Sequence, residues 1–277
     1  MNAVAVGGVG GSGTRLVALL LNNLGYYIGD DLNDALDNLW FTLFFKRRSI
    51  LIEEESSFRA LLGLFLDRMS GRVDLTPQER DKVAELAQIQ RLHHDGDWLR
   101  ERARSFVRQE TSRRLDQPWA WKEPNTHIVI DRILPVRPEL KYIHTLRHPM
   151  YMSQSKNQRQ LENWAPIFFS RNFRMEPRWS LKYWCAAHRR MAELTKIWPD
   201  RIINVDFDEL CESPEREYKR IAGFLDMEFD PGRYQAFARM IRKPSEKNRP
   251  KINLDRYDRD DLNYIESIGF EVPRKRW

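Results

Sequence analysis

Val4-Ala5-Val6-Gly7-Gly8-Val9-Gly10-Gly11-Ser12-Gly13-Thr14-Arg15-Leu16-Val17 opens the chain with a strand, a glycine loop and a helix start. An apolar run breaks into glycines and reopens with helical spacing. Five glycines lie between Gly7 and Gly13, out of 13 in the whole chain, so the segment is built for a tight backbone turn. A strand that delivers a glycine loop to a helix start makes a phosphate cradle. The glycines let the backbone fold closely, and free N–H groups at the helix start face an anion. The pattern predicts a strand over 3–6 and a helix over 14–24, stopped by Gly25. Leu16, Leu19, Leu20 and Leu24 recur at helical spacing and would pack that helix on a sheet.

Outward from the loop, residues 56–114 read as purely helical. Thr76-Pro77-Gln78-Glu79 is a helix start in which Thr76 caps, Pro77 takes the first turn and Glu79 closes a capping box. Asp97 is expected to cap the next helix. Strand character returns over 118–121 and 140–146, with a helix over 126–134 between them. A helix opens near Pro149, a long amphipathic one covers 179–197, a strand covers 202–207, and a helix runs from Ser213-Pro214 to Leu225. Strands separated by helices imply an α/β fold with a parallel sheet and right-handed crossovers. Ligands then sit at the carboxyl ends of the strands, where the glycine loop also lies.

The 277 residues suffice to bury a full core. Cys185 and Cys211 form no spacing motif, which argues for a reducing compartment and against a disulfide framework or a cysteine-held metal. No metal site is expected. No basic leader with a cleavage site precedes the glycines, and no run reaches the roughly 18 apolar residues of a membrane span; Leu61 to Leu66 and Leu39 to Phe45 are both too short. A cytoplasmic location is expected. The net charge of +6 suits an anionic ligand, and without a nucleic-acid-binding motif no nucleic-acid partner is expected.

The loop fits three phosphate-bearing ligands on its own. Gly8-x-Gly10-x-x-Gly13 has dinucleotide-binding spacing, but 25–29 is too short for a second strand ending in the acids Asp30 and Asp31. A triphosphate loop needs Lys-Ser/Thr after its last glycine, and here Thr14 and Arg15 stand in those places. A kinase-like or dinucleotide-binding protein therefore remains the alternative. The third reading uses a second anion grip. The strand over 140–146 runs into Arg147-His148-Pro149, with Ser155 expected nearly two turns into the helix that Pro149 opens.

With these motifs in order, the chain resembles the sulfotransferase superfamily, which uses 3′-phosphoadenosine 5′-phosphosulfate as donor. Gly11-Ser12-Gly13-Thr14 resembles the loop around the 5′-phosphosulfate, and Arg147-His148-Pro149 with Ser155 resembles the grip on the 3′-phosphate. Residues 203–210, with Pro214 and 221–225, resemble the family's strand, acidic turn and helix. The resemblance implies a P-loop-like three-layer fold, with a central parallel sheet flanked by helices, as one domain over 1–277. Residues 46–117 carry none of these motifs and read as a helical insertion. It implies sulfuryl transfer to a hydroxyl or amine of a carbohydrate or small-molecule acceptor, with adenosine 3′,5′-bisphosphate as product and no metal, and it leaves room for a homo-oligomer.

The family pattern breaks at Gly11, where many relatives carry a cation. Arg15 and Lys122 are the replacements, Lys122-Glu123-Pro124 resembling a Lys-x-Pro at the equivalent strand end. Asp31, Asp34, Asp37 and Glu123 are candidate bases. Asp37, just before the aromatic run 40–45, is placed to sit at a partly buried wall. His148 and the pair His93-His94 are weaker choices. The donor-binding set is Gly10, Gly11, Ser12, Gly13, Thr14, Arg15, Arg147 and Ser155, joined by Arg242 and Lys243 of a basic stretch that continues through Lys247 and Arg249. Trp98, Trp119, Trp121, Trp164 and Trp179 are either sugar platforms or core.

Overall fold

A computed structural model of the chain describes residues 3–169, 173–242 and 252–272. Four strands, β1 (Ala3–Gly8), β2 (Trp119–Lys122), β3 (Lys141–Leu146) and β4 (Ile202–Asp206), form a central parallel sheet in the order β2-β1-β3-β4. β1 is buried along its whole length, as a continuous apolar strand covered on both faces must be. It pairs with β2 in a register that sets Val6 against Lys122, so the lysine marks the carboxyl end of that pair. The chain divides into two compact units, residues 1–7 with 14–143 and residues 8–13 with 144–277.

The first unit holds α1 (Thr14–Asn23), α2 (Leu39–Phe45), α3 (Glu55–Met69), α4 (Pro77–Leu86), α5 (Gly96–Phe106) and α6 (Ile130–Ile133). The aromatic run is itself helix α2. Asn38 caps it by accepting from the Phe41 N–H at 2.9 Å, and Phe41 then stacks on Trp121 with centroids 5.9 Å apart. The capping box at Thr76 and Glu79 is present at the start of α4. The cap of α5 is Asp95 rather than Asp97. The extended backbone of Asp95 brings its carboxylate over the Trp98 N–H, at 2.8 Å, and leaves Asp97 inside the first turn. The helix expected over 126–134 is broken into a 3₁₀ turn (Pro124–Ile128), α6 and a second 3₁₀ turn (Leu134–Val136). Pro135 has no N–H with which to continue the ladder.

The second unit holds α7 (Pro149–Ser153), α8 (Arg159–Phe168), α9 (Pro177–Ile197), α10 (Phe207–Glu212), α11 (Pro214–Phe224), α12 (Pro231–Ala238) and α13 (Arg259–Ser267). Met150, Met152, Leu181, Trp184, Cys185 and Ile265 form a core cluster joining α7, α9 and α13. The helix opened by Pro149 ends at Ser153, so Ser155 lies in the connection to α8 and not two turns into a helix. Its hydroxyl accepts from the Asn157 N–H at 3.2 Å, a local turn that competes with helix continuation. Asp206 ends β4 and caps α10 by accepting from the N–H groups of Asp208 and Glu209. Trp119, Trp121 and Trp164 are buried core, whereas Trp98 and Trp179 are half-buried. Among the described residues no helix is long and apolar enough to cross a membrane, and no group of acidic, histidine or cysteine side chains could hold a metal ion.

Candidate functional site

Within the second unit the glycine loop is folded on itself and braced from three sides. The Ser12 N–H donates to the Val9 carbonyl at 3.0 Å, closing a tight turn. Gly13 has φ 91°, and a Cβ there would overlap the ring of Phe207, the first residue of α10, so only glycine fits. Gly11 also takes a left-handed φ, 92°, which gives a backbone reason for the missing cation at that position. Ser12 is fully buried, and its Oγ has no hydrogen-bond partner among the described residues.

Arg147 follows β3 directly and is brought to the same loop from 136 positions away. Its Nη1 donates to the Gly11 carbonyl at 3.3 Å, and its guanidinium lies over the Phe207 ring, 4.9 Å from the centroid. Its Nε is buried without a hydrogen-bond partner among the described residues. A buried hydroxyl and a buried guanidinium N–H around one loop of backbone donors are groups that an oxyanion would satisfy. The residues present therefore fit a phosphate- or sulfate-bearing ligand. The next residue, His148, donates its N–H to Asp208 Oδ2 at 3.2 Å. Its ring packs against Tyr151 and Phe270, a packing role.

The third brace is Gln160 of α8, which no motif singled out. Its Oε1 accepts from the Gly10 N–H at 2.9 Å and its Nε2 donates to the Gly8 carbonyl at 3.3 Å. The N–H groups of Gly10 and Ser12 are thus already engaged, whereas those of Gly11 and Gly13 make no hydrogen bond among the described residues. Replacing Gln160 by leucine strands two backbone groups at once. At about 1–3 kcal/mol for each buried group left unpaired, denaturant unfolding should show a loss of several kcal/mol. A loss below about 1 kcal/mol would mean that the clamp contributes nothing beyond packing.

The first unit holds the other candidates. Lys122 is 2% exposed, and its Nζ lies 2.5 Å from Asp37 Oδ1. Burial lowers its pKa and nearby Arg15 adds to that, while Asp37 and Glu123 oppose it. Asp37 is held from its other side by Asn33, whose Nδ2 donates to Oδ2 at 2.9 Å. The Asn38 N–H donates to the Lys122 carbonyl at 2.7 Å, tying the start of α2 to the end of β2. Glu123 is committed to structure: it accepts from the Asn125 backbone and side chain at 2.5 and 2.9 Å and pairs with Lys46 at 3.3 Å. Asp31 is buried, which raises its pKa, and it pairs with Arg102 at 3.2 Å. Asp34 and Arg15 are exposed, Arg15 in the first turn of α1.

Ser155 keeps one hydroxyl partner among the described residues, the Asn157 N–H. Arg242 is exposed and donates to the Arg239 carbonyl of its own chain segment at 2.8 Å. Lys243, Lys247 and Arg249 lie outside the described residues. Gln160 and Phe207 hold the loop without belonging to any sequence motif. Phe207 was visible only as the residue at the end of a strand, and Gln160 is one polar residue on an amphipathic helix.

The profile of the Sulfotransferase family matches residues 3–231. Sulfotransferase STF9 from Mycobacterium avium aligns over 99% of this chain and 78% of its own, at 14% identity and a TM-score of 0.50. The sulfotransferase domain of the Synechococcus olefin synthase aligns over 98% of this chain and 95% of its own, at 18% identity and a TM-score of 0.49. Sulfotransferase STF1 from Mycobacterium tuberculosis gives 97% and 76%, at 13% identity and 0.48. At such identities the structural likeness concerns the fold alone. The comparison with curated proteins gives no match. The family profile, however, runs from β1 through the glycine loop and Arg147 to the start of α12, and the chain belongs to the sulfotransferase family.

Proposed function

We propose that the protein transfers a sulfuryl group from 3′-phosphoadenosine 5′-phosphosulfate to a hydroxyl or amine of a carbohydrate or small-molecule acceptor. The observation that carries this reading is the pairing of the unsatisfied Ser12 hydroxyl with the unsatisfied Arg147 Nε around one glycine loop. The amides of Gly11, Gly13 and Thr14, with the N-terminus of α1, hold the 5′-phosphosulfate, and Arg147 holds the 3′-phosphate, assisted by Ser155. The C-terminal basic stretch, Arg242 and Lys243 included, adds further charge.

Transfer forms a bond from acceptor oxygen or nitrogen to sulfur and breaks the bond from sulfur to the leaving phosphate, on which negative charge grows. Positioned donors aimed at that charge supply most of the catalysis. Lys122 is assigned that task, with Arg15 contributing charge. Asp37 is assigned the proton of the acceptor, because its side chain keeps 20% of its surface exposed whereas that of Glu123 keeps 1%. The reading needs no metal. It treats 1–277 as one domain with an insertion at 46–117, and the two buried free cysteines suit a reducing cytoplasm.

Calorimetric titration with adenosine 3′,5′-bisphosphate in the presence of a chelator tests the reading. Saturable binding is expected, tighter than binding of magnesium–ATP or a nicotinamide dinucleotide. Tighter, magnesium-dependent ATP binding would replace it with the kinase-like alternative.

A further inference from the structure

The first unit contains a cavity of about 370 Å³ that the sulfuryl-transfer reading does not use. Its walls come from α2, α3, α5, the segment that follows α5, and Asp30, so most of its lining lies within 46–117. Its volume is at the lower end of small-ligand pockets.

The cavity is organised around a buried arginine. Arg68 on α3 is 1% exposed. Its Nε donates to the Phe106 carbonyl at 3.1 Å and its Nη2 to the Glu110 carbonyl at 2.6 Å. The guanidinium lies over the Trp40 ring, 4.8 Å from the centroid. These contacts fix the side chain, yet its Nη1 is buried with no hydrogen-bond partner among the described residues. Buried guanidinium donors are normally satisfied, and an orphan beside a cavity asks for an acceptor.

The acid at this wall, Asp30, acts on Arg68 through its charge, and no hydrogen bond joins the two side chains among the described residues. Asp30 accepts from both the N–H, at 3.1 Å, and the hydroxyl of Ser112. Glu110 meets Arg68 through its backbone carbonyl, and its exposed side chain forms no ion pair among the described residues. Arg108, also lining the cavity, is exposed and makes no side-chain hydrogen bond or ion pair among the described residues. One arginine is thus locked in place with a free donor, and a second can swing onto the same ligand.

We propose that this cavity binds a small organic anion, gripped by Arg68 Nη1 and closed upon by Arg108. Because Arg68 is held before the ligand arrives, little side-chain freedom is lost on binding. The oxyanion is a carboxylate or a sulfate or phosphate ester, chemistries that an arginine donor serves alike. The lining shares no residue with the donor loop, so the proposal stands or falls independently of the sulfuryl-transfer reading.

The test uses the full chain saturated with adenosine 3′,5′-bisphosphate, titrated calorimetrically with benzoate, inorganic sulfate and inorganic phosphate. At least one probe is expected to bind saturably, and which one binds identifies the oxyanion. Arg108→Glu, an exposed change that leaves the fold intact, should weaken that binding at least tenfold. Arg68→Lys, checked for folding by circular dichroism, should weaken it as well. No saturable binding of any probe overturns the proposal, and so does binding that Arg108→Glu leaves unchanged, whether or not the Arg68 variant folds. If the chain binds no adenosine 3′,5′-bisphosphate at all, the same titrations still decide this site.

Discussion

Lys122→Met is expected to slow sulfuryl transfer by roughly 10²–10³-fold, the usual effect of removing one donor aimed at developing charge, and to leave binding of adenosine 3′,5′-bisphosphate close to wild type. The fold should survive the change. Methionine matches the aliphatic stem, and Asp37 keeps its bond to Asn33 and one-fifth of its side-chain surface in water. The same lysine sets a pH signature. Burial draws its pKa below the ordinary lysine value of 10.5, and the proposed role requires the cation. On that role the lysine's contribution is full below its folded pKa and is lost as pH rises through it, so the alkaline limb of kcat should begin earlier than for a free lysine. Lys122→Arg, which stays charged, should move that limb upward. A variant Lys122→Met with wild-type kcat would remove Lys122 from the chemistry.

Gly13→Ala is expected to damage stability and donor binding together. A left-handed backbone costs an alanine about 1–2 kcal/mol, and forcing a methyl group into the Phe207 ring adds about 1–3 kcal/mol of overpacking. The consequence goes beyond stability because Phe207 is also the face on which the Arg147 guanidinium rests. Pushing the ring aside moves the arginine, so adenosine 3′,5′-bisphosphate should bind far more weakly. Shrinking the obstacle with Gly13→Ala plus Phe207→Leu should restore part of the lost unfolding free energy. Urea unfolding with parallel ligand titration measures both effects. A single variant as stable and as tightly binding as wild type would contradict the loop geometry.

The glycine run, the strand before it and the helix after it were legible in the sequence because local chemistry dictates them: glycines for left-handed turns, leucines at helical spacing for a packed face. Arg147 was legible for a similar reason, since Arg-x-Pro stops a strand and opens a helix with a charge at the junction. Interactions that depend on distant partners were not. Gln160 lies 150 positions from the amide it accepts from, and nothing in its neighbours marks it. Lys122 and Asp37 were each singled out, but their pairing spans 85 positions and has no local signature. Ser155 shows the opposite failure. Proline promised a helix, but the serine's own turn with Asn157 helps end it. The cap at Asp95 was displaced by two residues because either aspartate satisfies the capping pattern and only the backbone conformation selects between them.

In the proposed function Arg147 and the glycine loop form one two-phosphate grip. Its most direct test is to compare adenosine 3′,5′-bisphosphate with adenosine 5′-monophosphate, which lacks the 3′-phosphate, in wild type and in Arg147→Ala. A charge-assisted hydrogen bond contributes about 1.5–3 kcal/mol, so its loss corresponds to roughly 10- to 150-fold in affinity. Wild type should prefer the bisphosphate by at least that margin. Arg147→Ala should bind the two nucleotides nearly alike, with its melting temperature retained. An Arg147→Ala protein that keeps the full wild-type preference for the bisphosphate would contradict the account.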